Sequence, residues 1–289
     1  MKTFSTPPAL EPRRSLPCCL CEGEDFSRKW DCGDFAFVRC RACGLIQQNP
    51  QPEAAAVTAR YGERFGATYL RYEEANQYAY RDLELLALRD LGLEDEAFVA
   101  RAFAEGRKPR ILDVGCATGA LLAALRDRGW DVQGVEISTA QASYGRERYK
   151  LRIHAGDIES AAFPAAGFDL VHASHLIEHL NDPGAFLDEA ARVLAPGGSL
   201  VLTTPNADGL QARLLGSKWR SAINDHLYLF SLRNLAAMLE SRDFTVEKSV
   251  TWGGWARGLK PAFIKRPLDY LAKSLGFGDV MAILARRAK

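Results

Sequence analysis

From residue 110 onward, short apolar runs alternate with segments whose apolar residues recur every three or four positions. Residues 110–114 read as a buried strand, 121–128 as a helix stopped by Gly129, and 130–136 as the next strand. The alternation continues with a helix at 139–149, strands at 151–155 and 168–173, and a helix at 183–194 that gathers Phe186, Leu187, Ala190, Val193 and Leu194 on one face. A turn at 195–198, a strand at 199–204, a helix at 231–241 and strands at 244–251 and 278–285 complete the pattern. It predicts an α/β fold: a doubly wound, mostly parallel seven-stranded sheet with ligands at the carboxyl ends of its strands.

Ahead of this core, residues 53–104 hold no proline and are rich in Ala, Leu, Glu, Arg and Tyr. Leu83, Leu86, Ala87, Asp90 and Leu91 are spaced as on one helix face, so 51–108 reads as a helical linker or cap before the core domain at 109–289. Tyr61, Tyr69, Tyr72, Tyr78 and Tyr80 suit either a packed cap or a lid whose hydroxyls reach a ligand. Residues 1–14, with three prolines and no apolar stretch, read as a flexible start without a signal peptide.

Six of the seven cysteines lie between Cys18 and Cys43. Cys18-x2-Cys21 and Cys40-x2-Cys43, eighteen residues apart, have the spacing of a four-thiolate zinc site. The segment 15–50 is too short to bury a sufficient core, and a structural zinc supplies the missing free energy. Cys19 is an alternative to Cys18, Cys32 is a spare, and a disulfide framework is the competing reading. With no export signal, a cytoplasmic location is expected.

Composition changes the picture little. Of 289 residues, 47% are hydrophobic and 25% charged, and no apolar run is long enough to span a membrane. The net charge of +1 argues against a nucleic-acid partner. Residues 251–289 are locally basic, with eight Lys/Arg against two Asp/Glu. Within them, 252–277 reads as an insertion that mixes aromatics with Lys and Arg. It suits a packed amphipathic helix, an acceptor-pocket wall or a peripheral membrane contact.

The loop after the first core strand, Gly115-Cys-Ala-Thr-Gly119, lacks the glycine spacing of a dinucleotide fingerprint. Asp113 stands two residues before its first glycine, where a carboxylate suits an ammonium better than a pyrophosphate. Glu136, ending the second strand, suits a ribose diol, and Asp157, after the third, an adenine amino group. Loop and acids together describe S-adenosylmethionine better than NAD.

The motifs Asp113-Val-Gly-Cys-Ala-Thr-Gly119, Gly134-Val-Glu-Ile-Ser138, Gly156-Asp157, Phe168-Asp-Leu-Val171, Ile177-Glu-His-Leu180 and Leu194-Ala-Pro-Gly-Gly198 resemble those of class I S-adenosylmethionine-dependent methyltransferases. Cys40-Arg-Ala-Cys-Gly-Leu-Ile46 with Asn49-Pro50 resembles the N-terminal zinc module of a bacterial subgroup of them, as do Thr204-Pro-Asn206 and His226-Leu-Tyr-Leu-Phe-Ser231. Ala117 stands where the family usually has glycine. The resemblance implies a Rossmann-like methyltransferase domain. Asp113, Gly115 and Gly119 would cradle the methionine part of the cofactor, Glu136 the ribose, and Asp157 would lie near the adenine. Cys116, Ile137 and Ile158, neighbours of these residues, complete the implied cofactor-binding set.

His175, Glu178 and His179 have the spacing of one helical turn, and His226 follows in a polar stretch. They suit a general base, a second divalent metal that acidifies an acceptor hydroxyl, or a structural hydrogen-bond cluster. The set is similar to that of metal-assisted methyltransferases acting on vicinal oxygens, whose motif has glutamate at the position of His175. The expectation is an enzyme that O-methylates a small molecule or a glycan- or lipid-linked precursor. The rival is a cofactor-binding scaffold whose ribbon contacts a partner. Neither the acceptor nor the oligomeric state follows from the sequence.

Overall fold

The computed structural model describes residues 11–60, 63–93, 106–253 and 275–288, with 63–68 as helix backbone only. Most of the 252–277 insertion, and Tyr61 of the tyrosine cluster, lie outside the described residues.

The four-cysteine segment has too few apolar residues for its own core, and it shares one. β1 (Arg13–Arg14), β2 (Phe26–Asp31), β3 (Ala36–Cys40), β4 (Ile46–Gln48) and β5 (Gln51–Pro52) lead into α1 (Ala54–Arg60) and α2 (Glu63–Leu91). β2, β3 and β4 form an antiparallel sheet whose fourth strand, β11 (Tyr228–Leu229), comes from the core domain. Phe37 and Ile46 on this sheet pack with Trp219 and Leu229, while Cys18, Cys40 and Leu45 join the cluster of Phe230, Leu235 and Met238. Residues 11–14 differ from the flexible start expected there. Arg13–Arg14 pairs with Gln51–Pro52, and the Arg13 guanidinium donates to Asn224 Oδ1 at 2.8 Å.

The buried stripe of α2 is rotated from the one the sequence suggests. Leu83 is 62% exposed, and the inward face runs through Glu73, Gln77, Ala87, Leu88 and Leu91. Spacing of three and four fits both stripes; packing against the following helices and the sheet selects the second. Tyr72 and Tyr80 hydrogen-bond each other at 2.8 Å, while Tyr69 and Tyr78 are exposed.

The core alternates as its pattern predicts: β6 (Arg110–Val114), α3 (Ala120–Asp127), β7 (Asp131–Glu136), α4 (Thr139–Tyr149), β8 (Ile153–Ala155), β9 (Phe168–Ser174), α5 (Pro183–Val193), β10 (Leu194–Pro205), α6 (Leu210–Leu215), β11, α7 (Leu232–Glu240), β12 (Phe244–Trp252) and β13 (Val280–Arg287). The pattern marks neither of the two short elements, α6 and β11. The sheet order is β12-β13-β10-β9-β6-β7-β8. β13 runs antiparallel to β10 and β12; the other pairings are parallel. The expected turn at 195–198 is a bulge inside β10: Leu194 pairs with Phe168 and Ser199 with Leu170. The chain builds outward from β6 to β8, then returns to lay β9 and β10 on the other side. The crevice at that reversal, outside the carboxyl ends of β6 and β9, is where such sheets bind ligands.

Candidate active site

The β6–α3 loop turns through three residues with left-handed backbone, Gly115 (φ 76), Ala117 (φ 49) and Gly119 (φ 79). Ala117 occupies a conformation that costs a non-glycine residue about 1–2 kcal/mol. Its N–H donates to Glu136 Oε2 at 2.9 Å, which helps offset that cost. At Gly119 a Cβ would lie 2.5 Å from Leu151 Cδ1, so this glycine is needed for packing as well as for its backbone angle. Glu136 is buried, and its other oxygen accepts from Ser138 N at 2.8 Å. Burial pushes its carboxyl up to about 7, against the two N–H bonds. A buried carboxylate with unused lone pairs and no ion-pair partner among the described residues fits the hydroxyl pair of a ribose. Asp157 is exposed and caps its own loop by accepting from Ser160 N at 2.7 Å, one oxygen remaining for a ligand. Cys116 and Ile158 are buried, Ile137 is 38% exposed, and Gly115 lies against Leu176. The residues present therefore fit the cofactor that the sequence implies.

Asp113 has a partner to which the sequence pattern assigns no role. His172, fully buried at the matching register of β9, bonds Asp113 Oδ1 through Nδ1 at 2.7 Å. Burial opposes a charge on this imidazole, and Asp113 outweighs it, so the His172 pKa is raised. The signal was a polar residue, His172, among the apolar residues 170–173. Glu84 of α2 faces the pair, and burial pushes its carboxyl up to about 7.

Beyond the carboxyl end of β9 comes a 3-10 turn at Ile177–His179. Glu178 is fully buried; its two oxygens accept from His175 Nδ1 at 3.1 Å and Thr204 Oγ1 at 2.9 Å. Burial alone would raise its pKa, but His175, His179 and His226 outweigh it and hold it at about 2. His179 donates from Nδ1 to Asp225 O at 2.9 Å, and His226 from Nδ1 to Ser221 O at 2.8 Å. In their neutral form both rings present Nε2 as a lone pair. The rings stand edge to face with centroids 4.7 Å apart. Ligand atoms of Glu178, His179 and His226 lie within 4.8 Å of one another, close enough for one metal ion to reach all three. His175 is not in that group. It has left-handed backbone (φ 51), its side chain is about half exposed, and it braces Glu178 from outside.

A family model described as "Methyltransferase domain" matches residues 81–249, a span holding both the glycine loop and this cluster. The chain belongs to this methyltransferase-domain family. Among curated relatives, a ubiquinone biosynthesis O-methyltransferase from Psychrobacter arcticus is 39% identical over 105 residues, 34% of this chain and 41% of the relative. A malonyl-[acyl-carrier protein] O-methyltransferase from Serratia marcescens is 31% identical over 134 residues, 44% of this chain and 52% of the relative. The chain thus spans about half the length of the curated relatives it matches. An S-adenosylmethionine-dependent methyltransferase from Thermotoga maritima superposes with a TM-score of 0.57 at 21% identity, covering 80% of this chain and 99% of that one. At that identity the likeness is one of fold.

The ribbon lies outside the matched methyltransferase span. Its four sulfurs cluster within 4.8 Å, with Cys18–Cys43 at 3.4 Å and Cys21–Cys40 at 3.5 Å. A tetrahedron of sulfurs about 2.3 Å from a zinc ion has edges of just under 4 Å, so the donor set fits. None of the seven cysteines forms a disulfide. This ribbon also holds the segment that carries His226. Gln48, fully buried on β4, donates from Nε2 to His226 O at 2.8 Å and Asn224 O at 2.9 Å, and from its backbone N to Leu227 O at 2.8 Å. Arg60 adds bonds to Asn224 O and Asp225 Oδ1. Replacing Gln48 by Leu leaves the His226 carbonyl without that donor, at about 1–3 kcal/mol, and removes one of the two donors to Asn224 O. We expect kcat for methyl transfer to fall about tenfold or more while cofactor affinity holds, since a misplacement near 1 Å costs on the order of 100-fold. Equal losses in both quantities would assign Gln48 to general stability instead.

Proposed function

We propose that this protein is an S-adenosylmethionine-dependent methyltransferase that methylates an oxygen of a small molecule. The observation that carries the reading is two groups of residues beyond the carboxyl ends of neighbouring parallel strands: a cradle made by the 115–119 loop, Asp113 and Glu136 at β6 and β7, and a cluster of Glu178, His179 and His226, the first two following β9. S-adenosylmethionine supplies an already activated methyl group, so the protein's task is to position the acceptor and accept its proton. A divalent ion held by Glu178, His179 and His226 would lower the pKa of an acceptor hydroxyl. Thr204 and His175 orient Glu178, and the carbonyls of Asp225 and Ser221 fix the two rings. The relatives' names, one for a ubiquinone-pathway enzyme and one for an enzyme of an acyl-carrier-linked substrate, support a small-molecule acceptor. Four thiolates on structural zinc complete the metal content. Unpaired thiols suit a reducing compartment such as the cytoplasm. No helix among the described residues is long and apolar enough to cross a membrane.

The test is methyl transfer from labelled cofactor to a panel of phenols, catechols and carboxylic acids, with chelator and with Mg²⁺, Mn²⁺ or Zn²⁺ added back. We expect turnover that collapses in chelator and returns with a divalent ion. His226→Ala should lower activity at least about 100-fold and remove the response to metal, as expected for loss of one of three ligands. Undiminished turnover in chelator would remove the metal and leave the histidines as bases. Cofactor binding with no transfer to any acceptor would favour a scaffold.

A further inference from the structure

A cavity of about 370 Å³ lies where the ribbon meets the core domain, away from the cradle. Lys29, Trp30 and Arg39 form its ribbon wall, and Asp208 and Arg213, with Ala207 and Ala212, its other wall. Three cations thus face one acid, and that acid is drawn to Arg213, 3.7 Å away. Arg39 donates from Nε to Gly44 O at 3.2 Å, and its other guanidinium nitrogens have no hydrogen-bond partner among the described residues. Lys29 has no ion-pair partner among the described residues; its ammonium sits 5.4 Å from the Trp30 ring centroid. Its presence there is a feature of the strand: the β2–β3 register slips between Arg28 and Trp30, and the bulge brings Lys29 to the cavity beside Trp30. Burial and the nearby Arg39 and Arg213 lower the Lys29 pKa, outweighing the opposing pull of Asp208.

We infer that this cavity binds the phosphate or diphosphate group of a small molecule. Dianionic oxygens match three converging N–H donors, and Trp30 offers a flat surface to whatever the phosphate carries. The volume suits a small ligand and not a nucleic-acid helix. Both walls continue into elements of the active site. Ala207 lies three residues after Thr204, which bonds Glu178, and Ile46 lies two residues before Gln48, which holds the His226 segment. A phosphate anchored here would therefore be a handle for the acceptor; that role rests on the methyltransferase reading, whereas anion binding does not.

Trp30 supplies the readout. Tryptophan fluorescence is titrated with inorganic phosphate, pyrophosphate and uridine diphosphate on zinc-loaded protein, and repeated with Lys29→Gln/Arg213→Gln and with Lys248→Gln, a distant control. We expect a saturable change with pyrophosphate, weakened at least about tenfold in the double variant and unaltered in the control, since one charge-assisted hydrogen bond is worth that much. Tighter binding of uridine diphosphate would identify a phosphate ester as the source, and equal binding a free diphosphate. No saturable response, or one that survives the double substitution, overturns the site. Binding only to phosphatidylglycerol vesicles, with none to the soluble probes, overturns it in favour of a membrane-facing patch. Because no methyl transfer is measured, failure here leaves the proposed activity untouched, and loss of that activity leaves this site standing.

Discussion

Protein in which Cys18 and Cys21 are both replaced by serine is expected to lose methyl transfer by at least about 100-fold while still binding S-adenosylmethionine within a few-fold of the unaltered protein. A structural zinc contributes on the order of 10 kcal/mol to the folding of a module this small. Without it, the sheet of β2, β3 and β4 has little to hold it, and β11 loses its neighbour. The bonds from Gln48 to Asn224, His226 and Leu227 then have no fixed origin, and Arg13 and Arg60 no longer hold Asn224. His226 would lose its place beside His179. The cradle is insulated from this damage, because the hydrogen bonds of Ala117 and Ser138 with Glu136 lie within the core domain. Metal content, calorimetric cofactor affinity and transfer rate, measured with divalent metal added, give the three readouts. Hydrogen exchange at Tyr228 and Leu229 should rise in the variant. Full transfer in protein lacking the cysteine-bound metal would sink the idea.

Glu136→Ala is expected to weaken S-adenosylmethionine binding at least about 100-fold, since two hydrogen bonds to a charged group are worth about 3–6 kcal/mol together. The loop also loses the bond that holds Ala117 N in its left-handed turn. Calorimetry on unaltered and variant protein checks this. The same carboxyl gives a pH dependence. Its folded pKa, about 7, lies above the reference value of 4.5, so the neutral acid is the form the fold favours. The stability tied to it is present below about 4.5 and is lost as pH rises through about 7. Ligand hydroxyls favour the carboxylate instead, so affinity should climb as pH rises toward about 7 and level off above it. Binding at lower pH should release a proton, detectable by calorimetry in buffers of different ionisation enthalpy. Unchanged affinity in the variant would remove Glu136 from the ribose role.

The alternation of residues 110–285 was legible because strand and helix periods are local properties of the chain. The carboxyl ends of the strands followed within two residues, and acids and glycines stand at those ends. The four cysteines were legible for a similar reason: the spacing of two knuckles belongs to each knuckle alone. The helix face of α2 was not. Two stripes satisfied the same spacing, and only packing against α3 and α4 chose between them. The turn expected at 195–198 was a glycine-rich bulge, because the pairing on both sides of it with β9 kept the strand continuous.

The site divided in the same way. Sequence by itself determined the fold class, the acids and glycines placed at consecutive strand ends, and the identity of the histidines and acids available for chemistry. Tertiary structure alone decided how they combine. It drew His172 onto Asp113, 59 residues away in the chain. It separated His175 from the group of Glu178, His179 and His226, and made it a brace. It also turned the ribbon from a separate module into the support of the His226 segment, through a strand pair joining residues 46–47 to 228–229. The physical reason is that local pattern reports which face of an element is apolar, whereas a polar side chain's partner depends on which distant elements the closed sheet brings within hydrogen-bonding distance.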